Sequence, residues 1–257
     1  MHNALTEYLE FATESAYQAG RLTLGYFHTA LLPEYKADAS PVTKADKEAE
    51  NLIRQRIEKR YPHHSIIGEE YGESTNRDAE FRWFIDPIDG TKSYVRGVPL
   101  YAVLIGLEIA GIVAVGAAYY PALDEMLAAA SGLGCWWNGR RAHVSTVTDL
   151  KQAIVTTTDL GNFEHCQREE AWKRLQQAFA YRTGWGDAYG YLLVATGRAE
   201  LMLDPAMSVW DCAPFPPILT EAGGYFGDWQ GNPTIYANEA LATSQVLLPE
   251  VLRLIRG

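Results

Sequence analysis

The chain is poor in cysteine and in basic residues, and both shortages limit what it can be. Its 257 residues include three cysteines, Cys135, Cys166 and Cys212, with no C-x-x-C pair. An odd number of widely spaced cysteines argues against a disulfide framework or a zinc site. Lys and Arg total 22 against 32 Asp and Glu, for a net charge of −10. This acidic balance argues against a general binder of nucleic acid or of anionic membranes.

Several catalytic motifs are also missing. The six histidines show no H-x-x-x-H or H-E-x-x-H spacing, and no G-x-S-x-G or P-loop occurs. Gly184, Gly186 and Gly190 miss the dinucleotide-binding fingerprint by one residue. The N-terminus lacks the basic and apolar regions of a signal peptide. With free cysteines, this predicts a protein of the reducing cytoplasm.

One apolar stretch approaches the length of a membrane span. Residues 100–123 are apolar apart from Glu108 and a few tyrosines. The stretch is rich in glycine and β-branched residues, which favours strands over a transmembrane helix. We therefore predict two buried strands, at about 101–109 and 112–120, that turn near Ala110-Gly111.

The remaining pattern alternates between helical and strand periodicity. It predicts helices at 3–30, 44–60, 167–180, 187–196 and 209–222, the last interrupted by prolines, and strands near 65–68, 82–86, 124–130, 154–158 and 200–203. A loop is expected at 33–42 and a hairpin turn at Asn138-Gly139. The glycine-rich stretch 131–144 suggests two subdomains, 1–143 and 144–257. The alternation indicates an α/β protein built in layers.

The most informative segment is Trp83 to Lys92, which reads W-F-I-D-P-I-D-G-T-K. An apolar strand ends on Asp86, and Pro87 and Gly90 favour a sharp turn that brings Asp89 close to it. Two carboxylates and the Ile88 carbonyl are the oxygen ligands that Mg²⁺ prefers. The alternative is an ordinary strand-end turn with two solvated aspartates.

Two further acidic elements have a similar apolar setting. They are Ile66-Ile67-Gly68-Glu69-Glu70 and Trp210-Asp211-Cys212-Ala213-Pro214. An acid among apolar neighbours is costly unless it pairs or binds metal. Since metal ions neutralise phosphoryl oxygens and activate water, the combined pattern predicts a metal-dependent phosphatase.

These segments resemble the signatures of the inositol monophosphatase family. Asp86-Pro87-Ile88-Asp89-Gly90-Thr91 is similar to its first signature, and Trp210-Asp211 followed by Glu221-Ala222-Gly223-Gly224 to its second. Gly68-Glu69-Glu70 and Val42-Thr43-Lys44-Ala45-Asp46 resemble its other landmarks. The resemblance implies a layered α/β/α/β/α sandwich, usually a homodimer, that uses two or three Mg²⁺ ions, accepts Mn²⁺ and is inhibited by Li⁺.

The same resemblance implies roles for individual residues. Glu69, Asp86, the Ile88 carbonyl and Thr91 would surround a first metal and its water, and Asp86, Asp89 and Asp211 a second. Thr91 with Asp46 would orient and deprotonate the water that attacks phosphorus in line. Free N–H groups at Gly90 and Thr91 would bind phosphate.

Three alternatives remain open. Asp46 could simply pair with Lys44 or Lys47. Glu70 and Glu73 are expected to be solvated or to lie behind the metal ligands. The chain could also be a regulatory relative that binds metal without catalysis.

The substrate is less sharply indicated. Lys92 to Pro99, Gly184 to Gly190, and Leu203-Asp204-Pro205 resemble the histidinol-phosphatase branch of the family. Asp187 and Asp204 would then pair with the amine or imidazole of histidinol phosphate. They would equally accept hydroxyl groups of an inositol or sugar phosphate, and a nucleotide or a broad range of small phosphorylated substrates is a further alternative.

Overall fold

The computed structural model describes residues 2–29, 32–36, 41–74 and 79–257. Its α-helices are α1 (His2–Tyr26), α2 (Lys44–Arg60), α3 (Thr91–Tyr94), α4 (Gly161–His165), α5 (Glu169–Ala178), α6 (Asp187–Ala195), α7 (Val209–Cys212), α8 (Phe215–Glu221) and α9 (Leu248–Arg256). A 3₁₀ turn covers Leu150–Gln152.

The strands form two large sheets and one small antiparallel pair. Their bounds are β1 (Glu34–Tyr35), β2 (Pro41–Val42), β3 (Ser65–Gly68), β4 (Gly72–Glu73), β5 (Phe81–Asp89), β6 (Ala102–Ile109), β7 (Ile112–Tyr120), β8 (Glu125–Ala130), β9 (Gly134–Trp137), β10 (Arg140–Arg141), β11 (Ile154–Thr156), β12 (Tyr181–Thr183), β13 (Leu201–Asp204), β14 (Gly224–Gly227) and β15 (Ala240–Ser244). The first sheet has the order β10-β9-β8-β7-β6-β5-β3-β4, and the second β12-β11-β13-β15-β14.

Side-chain alternation along the strands sorts the core into layers. On β5, Trp83 and Ile85 point towards α1 and α2, whereas Phe84 points into the space between the two sheets. That central space holds α6, α7 and α8, with Tyr191 and Phe215 at its middle. Helices α5 and α9 cover the outer face of the second sheet. The layers therefore run α/β/α/β/α, which confirms the predicted fold class.

Most of the predicted elements are present. The apolar stretch forms the antiparallel pair β6 and β7, which turns at Ala110-Gly111 as predicted. The structure contains no helix, within the residues it describes, long and apolar enough to cross a membrane. Asn138 and Gly139, both with positive φ, form the predicted hairpin between β9 and β10.

Some boundaries differ from prediction. Helix α1 ends at Tyr26 rather than near residue 30, and the interrupted helix divides at Pro214 into α7 and α8. Along the chain, the last strand of the first large sheet ends at Arg141, and the first strand of the second sheet begins at Ile154. One hydrophobic cluster contains residues of both sheets, so the proposed division at 143/144 stays a prediction.

Candidate active site

The sharp turn after β5 brings two acids to one point. The pairing of β5 with β6 shifts register between Asp86 and Asp89, so the strand bulges at Pro87-Ile88. Gly90 follows in the left-handed conformation, at φ 82°, and starts α3. A Cβ atom there would lie 3.0 Å from the Leu100 carbonyl oxygen and 3.2 Å from Asp187 Oδ2. Only glycine suits both the conformation and the space, which explains the G in D-P-I-D-G-T.

The third acid is supplied by the start of a helix that packs against β5. Asp211 stands in the first turn of α7, where its Oδ2 accepts the Ser208 N–H at 2.8 Å. This capping arrangement fixes the carboxylate and leaves its second oxygen facing the cleft. Carboxylate oxygens of Asp86, Asp89 and Asp211 lie within 4.8 Å of one another.

The protein supplies few hydrogen-bond donors to these three carboxylates. Asp86 accepts the Ile88 N–H at 3.0 Å, and Asp89 accepts the Ala188 N–H at 2.6 Å. Burial, and then the neighbouring acids, raise the pKa of both well above the usual range. Burial likewise raises the pKa of Asp211 to about 7. Like charges this close in a desolvated site require a cation or protons.

Glu69 adjoins this cluster but lies outside its tightest part. Its Oε1 accepts the Lys36 ammonium at 2.7 Å, and the same ammonium reaches Glu70 Oε1 at 2.8 Å. Of the two expectations for Glu70, solvated or behind the metal ligands, its side chain fits the second, because it is 4% exposed and shares Lys36 with Glu69. Burial raises the pKa of Glu70 to about 7. Glu73 lies on the exposed strand β4.

Behind Thr91 stands a second capped helix start. Asp46, in the first turn of α2, accepts the Thr43 N–H at 2.8 Å. Its other oxygen lies 3.5 Å from Thr91 Oγ1, which also donates to the Ile88 carbonyl at 3.0 Å. The alternative pairing of Asp46 with lysine does not occur, because Lys44 pairs with Glu48 and Lys47 with Glu34. Burial raises the pKa of Asp46 to about 6.

The outer wall of the cleft joins the two halves of the chain. Ser93 Oγ donates to Asp187 Oδ2 at 3.2 Å and accepts the indole N–H of Trp185. Asp187, the first residue of α6, is largely buried, which raises its pKa to about 6. The cleft has a volume of about 920 Å³, and of the predicted residues Glu69, Asp86, Ile88, Asp89, Gly90, Thr91, Asp187 and Asp211 line it.

Asp204 is placed differently from the prediction. It is 1% exposed and does not line the cleft. Its Oδ1 accepts from Thr157 Oγ1 and the Thr158 N–H, and its Oδ2 from Thr158 Oγ1. Thr158 Oγ1 in turn accepts the Asp187 N–H at 3.0 Å. Asp204 therefore supports the wall that carries Asp187, and the hydroxyl and N–H groups of Thr157 and Thr158 occupy both of its oxygens.

The donor set suits a hard divalent cation. It consists of carboxylate oxygens with a nearby backbone carbonyl, and it includes no thiolate or imidazole. The sequence alone missed Lys36, Ser93 and Trp185. Lys36 lies in a segment expected to be loop, and the contacts of the other two depend on the meeting of distant chain segments.

Comparison with known proteins agrees with this geometry. The family model of the inositol monophosphatase family matches residues 4–256, and the chain belongs to that family. It is 41% identical over 241 residues to a histidinol-phosphatase of Chlorobaculum parvum, covering 93% of each chain. It is 30% identical to inositol monophosphatase 1 of Solanum lycopersicum, covering 97% of this chain and 94% of the relative. The solved inositol monophosphatase of Anabaena superposes with a TM-score of 0.87 at 32% identity, covering 98% and 96% of the two chains.

Proposed function

We propose that this phosphoric monoester hydrolase is Mg²⁺-dependent and acts on histidinol phosphate. The observation that carries the metal dependence is the group formed by buried Asp86 and half-buried Asp89 and Asp211, whose carboxylate oxygens lie within 4.8 Å of one another. These acids line an open cleft, and the Thr91–Asp46 pair adjoins them. Both features support a hydrolytic role rather than a purely structural metal site.

Asp86, Asp89 and Asp211 would hold the metal, with Glu69 and the Ile88 carbonyl beside them. A bound divalent cation supplies charge neutralisation for phosphoryl oxygens and lowers the pKa of water. All-oxygen ligands favour Mg²⁺, with Mn²⁺ able to substitute. Two or three ions, and inhibition by Li⁺, are what the family resemblance implies.

Thr91 and Asp46 would handle the proton of the attacking water. The Thr91 hydroxyl cannot act as a base at neutral pH unless a carboxylate takes its proton. Asp46 Oδ1 lies 3.5 Å away, while Oδ2 is held by Thr43. A pKa of about 6 keeps Asp46 mostly ionised at pH 7 and still able to accept a proton.

The choice of histidinol phosphate is supported by the likeness to the Chlorobaculum parvum relative and by Asp187. A carboxylate that lines the same cleft beside the metal cluster suits a substrate that carries an ammonium or imidazolium group near its phosphate. A hydroxyl-rich substrate is the second candidate, since the tomato relative is an inositol monophosphatase.

The test is a contrast between two substrates. Replacing Asp187 by Asn should weaken kcat/KM for histidinol phosphate by about 1.5–3 kcal/mol, the range for a hydrogen bond to a charged group. Hydrolysis of p-nitrophenyl phosphate, which lacks the amine, should change little. Equal losses on both, or wild-type enzyme that prefers inositol 1-phosphate, would favour the sugar-phosphate function. Wild-type protein that releases no phosphate from any small monoester would instead support a non-catalytic metal-binding protein.

We also infer a cytoplasmic homodimer. The family resemblance supports the dimer, and the free thiols Cys135, Cys166 and Cys212 support a reducing compartment. Light scattering of the purified protein would test the dimer, for which a mass near 57 kDa is expected from a 28.6 kDa chain, and a monomer mass would contradict it.

A further inference from the structure

Trp185 is held at the cleft by an unusual backbone. Its φ is 63°, and that of Asp187 two residues later is 41°. Such conformations are rare for residues other than glycine and concentrate at functional sites. The Trp185 N–H donates to the Thr158 carbonyl at 3.0 Å, so the strained turn after β12 is tied to the segment that follows the neighbouring strand β11.

The indole is anchored at one edge while its ring stays accessible. Its N–H donates to Ser93 Oγ, and Ser93 donates to Asp187. The side chain nevertheless remains 49% exposed and lines the cleft. One polar atom thus fixes the ring beside the carboxylate that faces the substrate.

Three other tryptophans of the protein each have an arginine over the ring. Arginine guanidinium groups lie 5.0 Å from the ring of Trp136, 4.6 Å from that of Trp137 and 5.2 Å from that of Trp229. Within residues 2–29, 32–36, 41–74 and 79–257, no cation or aromatic ring is placed over Trp185. Its exposed face in a cleft is therefore open to a cation from solution.

The charge of this wall fits the same ligand. Asp187 shares the Ser93 hydroxyl with the indole, and Asp159, whose side chain is half exposed, lines the same cleft. Asp159 is only loosely compensated, because its Oδ2 is 3.9 Å from the Lys92 ammonium. An aromatic ring and carboxylates that line one cleft are groups that recognise organic cations.

We propose that Trp185 is a specificity-determining residue: its ring binds the cationic organic part of the substrate, while Ser93 fixes the ring beside Asp187. This rests on the proposed function and extends it. Trp185 would then distinguish cationic from neutral monoesters, and it lies outside the metal-binding motifs.

The experiment compares Trp185→Leu with the wild-type full-length enzyme on three substrates at saturating Mg²⁺. These are histidinol phosphate, its analogue without the amine, and β-glycerophosphate, which is neutral outside its phosphate and not aromatic. Trp185→Leu should lose about 10-fold in kcat/KM on histidinol phosphate, the scale of a cation–π contact in a cleft. The loss on β-glycerophosphate should stay within about 2-fold, since the metal centre is untouched. Trp185→Phe should recover most of the activity, because it restores a ring face.

A matched control is Trp136→Leu. Trp136 is 39% exposed and does not line the cleft, so this variant should match the wild type on all three substrates. Equal losses for Trp185→Leu on every substrate, or no loss on any, would overturn the role of Trp185 while the proposed function stands. Wild-type enzyme that hydrolyses β-glycerophosphate but not histidinol phosphate would instead overturn the proposed substrate before any variant is compared.

Discussion

Two groups of buried or half-buried carboxylates in this molecule differ in whether the protein supplies a positive charge to them. Glu50 is fully buried on α2, yet it accepts the Arg54 guanidinium at 2.7 Å and the N–H groups of Glu70 and Tyr71. Glu108, 1% exposed, accepts from Arg82 and from the Tyr236 hydroxyl. Each of these acids is neutralised by an arginine inside the fold.

Asp86, Asp89 and Asp211 have no such partner. None of the ion pairs among the described ranges, which omit residues 1, 30–31, 37–40 and 75–78, involves any of the three. Each accepts one hydrogen bond from a backbone N–H, and all three line one cleft. A fold that supplies arginine to Glu50 and Glu108 but none here leaves this charge for an external cation.

The largest effect that tests this difference is loss of a metal ligand. Asp211→Asn and Asp89→Asn keep side-chain size but remove the charge, so metal affinity and turnover should fall together. We expect affinity for Mn²⁺, measured by calorimetry, to fall at least as far as the ~10–100-fold seen when groups behind metal ligands are changed. Either variant with wild-type affinity and turnover would remove that residue from the metal site.

Thr91→Ala separates water handling from metal binding. The hydroxyl touches Asp46 and the Ile88 carbonyl, whereas the acid cluster is unchanged by its removal. Turnover at saturating Mg²⁺ should fall by ~10²–10⁴-fold, the usual range for positioned acid–base groups, with metal affinity retained. A near-normal kcat would show that Thr91 does not activate the water.

Stability should change in opposite directions at the two kinds of acid. Glu50→Gln leaves Arg54 without its buried partner and should destabilise the protein by about 3–5 kcal/mol. In metal-free protein at pH 8, Asp211→Asn should instead raise Tm, because it removes a repelling charge. Glu58→Gln, on the exposed face of the same helix as Glu50, is the control and should stay within about 0.5 kcal/mol. A gain in stability for Glu50→Gln would contradict the comparison.

The sequence revealed the acid cluster because its residues sit at strand and helix ends with local signals. Asp86 and Asp89 share one turn, and Asp211 follows an apolar run into a helix start. The layered fold was implied by family resemblance, and the alternating burial of β5 explains it physically.

The features that the sequence could not predict depend on contacts between residues that are far apart in the chain. Ser93 and Trp185 are 92 positions apart, and no local pattern joins them. Asp204 was expected in the cleft, but hydroxyl groups of Thr157 and Thr158 satisfy it from within. No element was predicted after residue 222, where β15 reads A-L-A-T-S and is buried throughout, so it lacks the alternation of a half-exposed strand.

The central claim is that the acids in the cleft form a binding site for a metal cation. The most direct test is the Tm of the metal-free protein, measured between pH 5 and 8. The raised pKa of Asp211, about 7, and of Asp46, about 6, means that the folded state holds protons that the unfolded state has already lost. Stability should therefore fall as pH rises from about 4 towards 7, by up to ~1.4 kcal/mol per pH unit for each such group. Mg²⁺ at 100 times its Kd should restore about 2.7 kcal/mol at pH 8. A Tm that rises with pH in chelator and ignores Mg²⁺ would contradict the account.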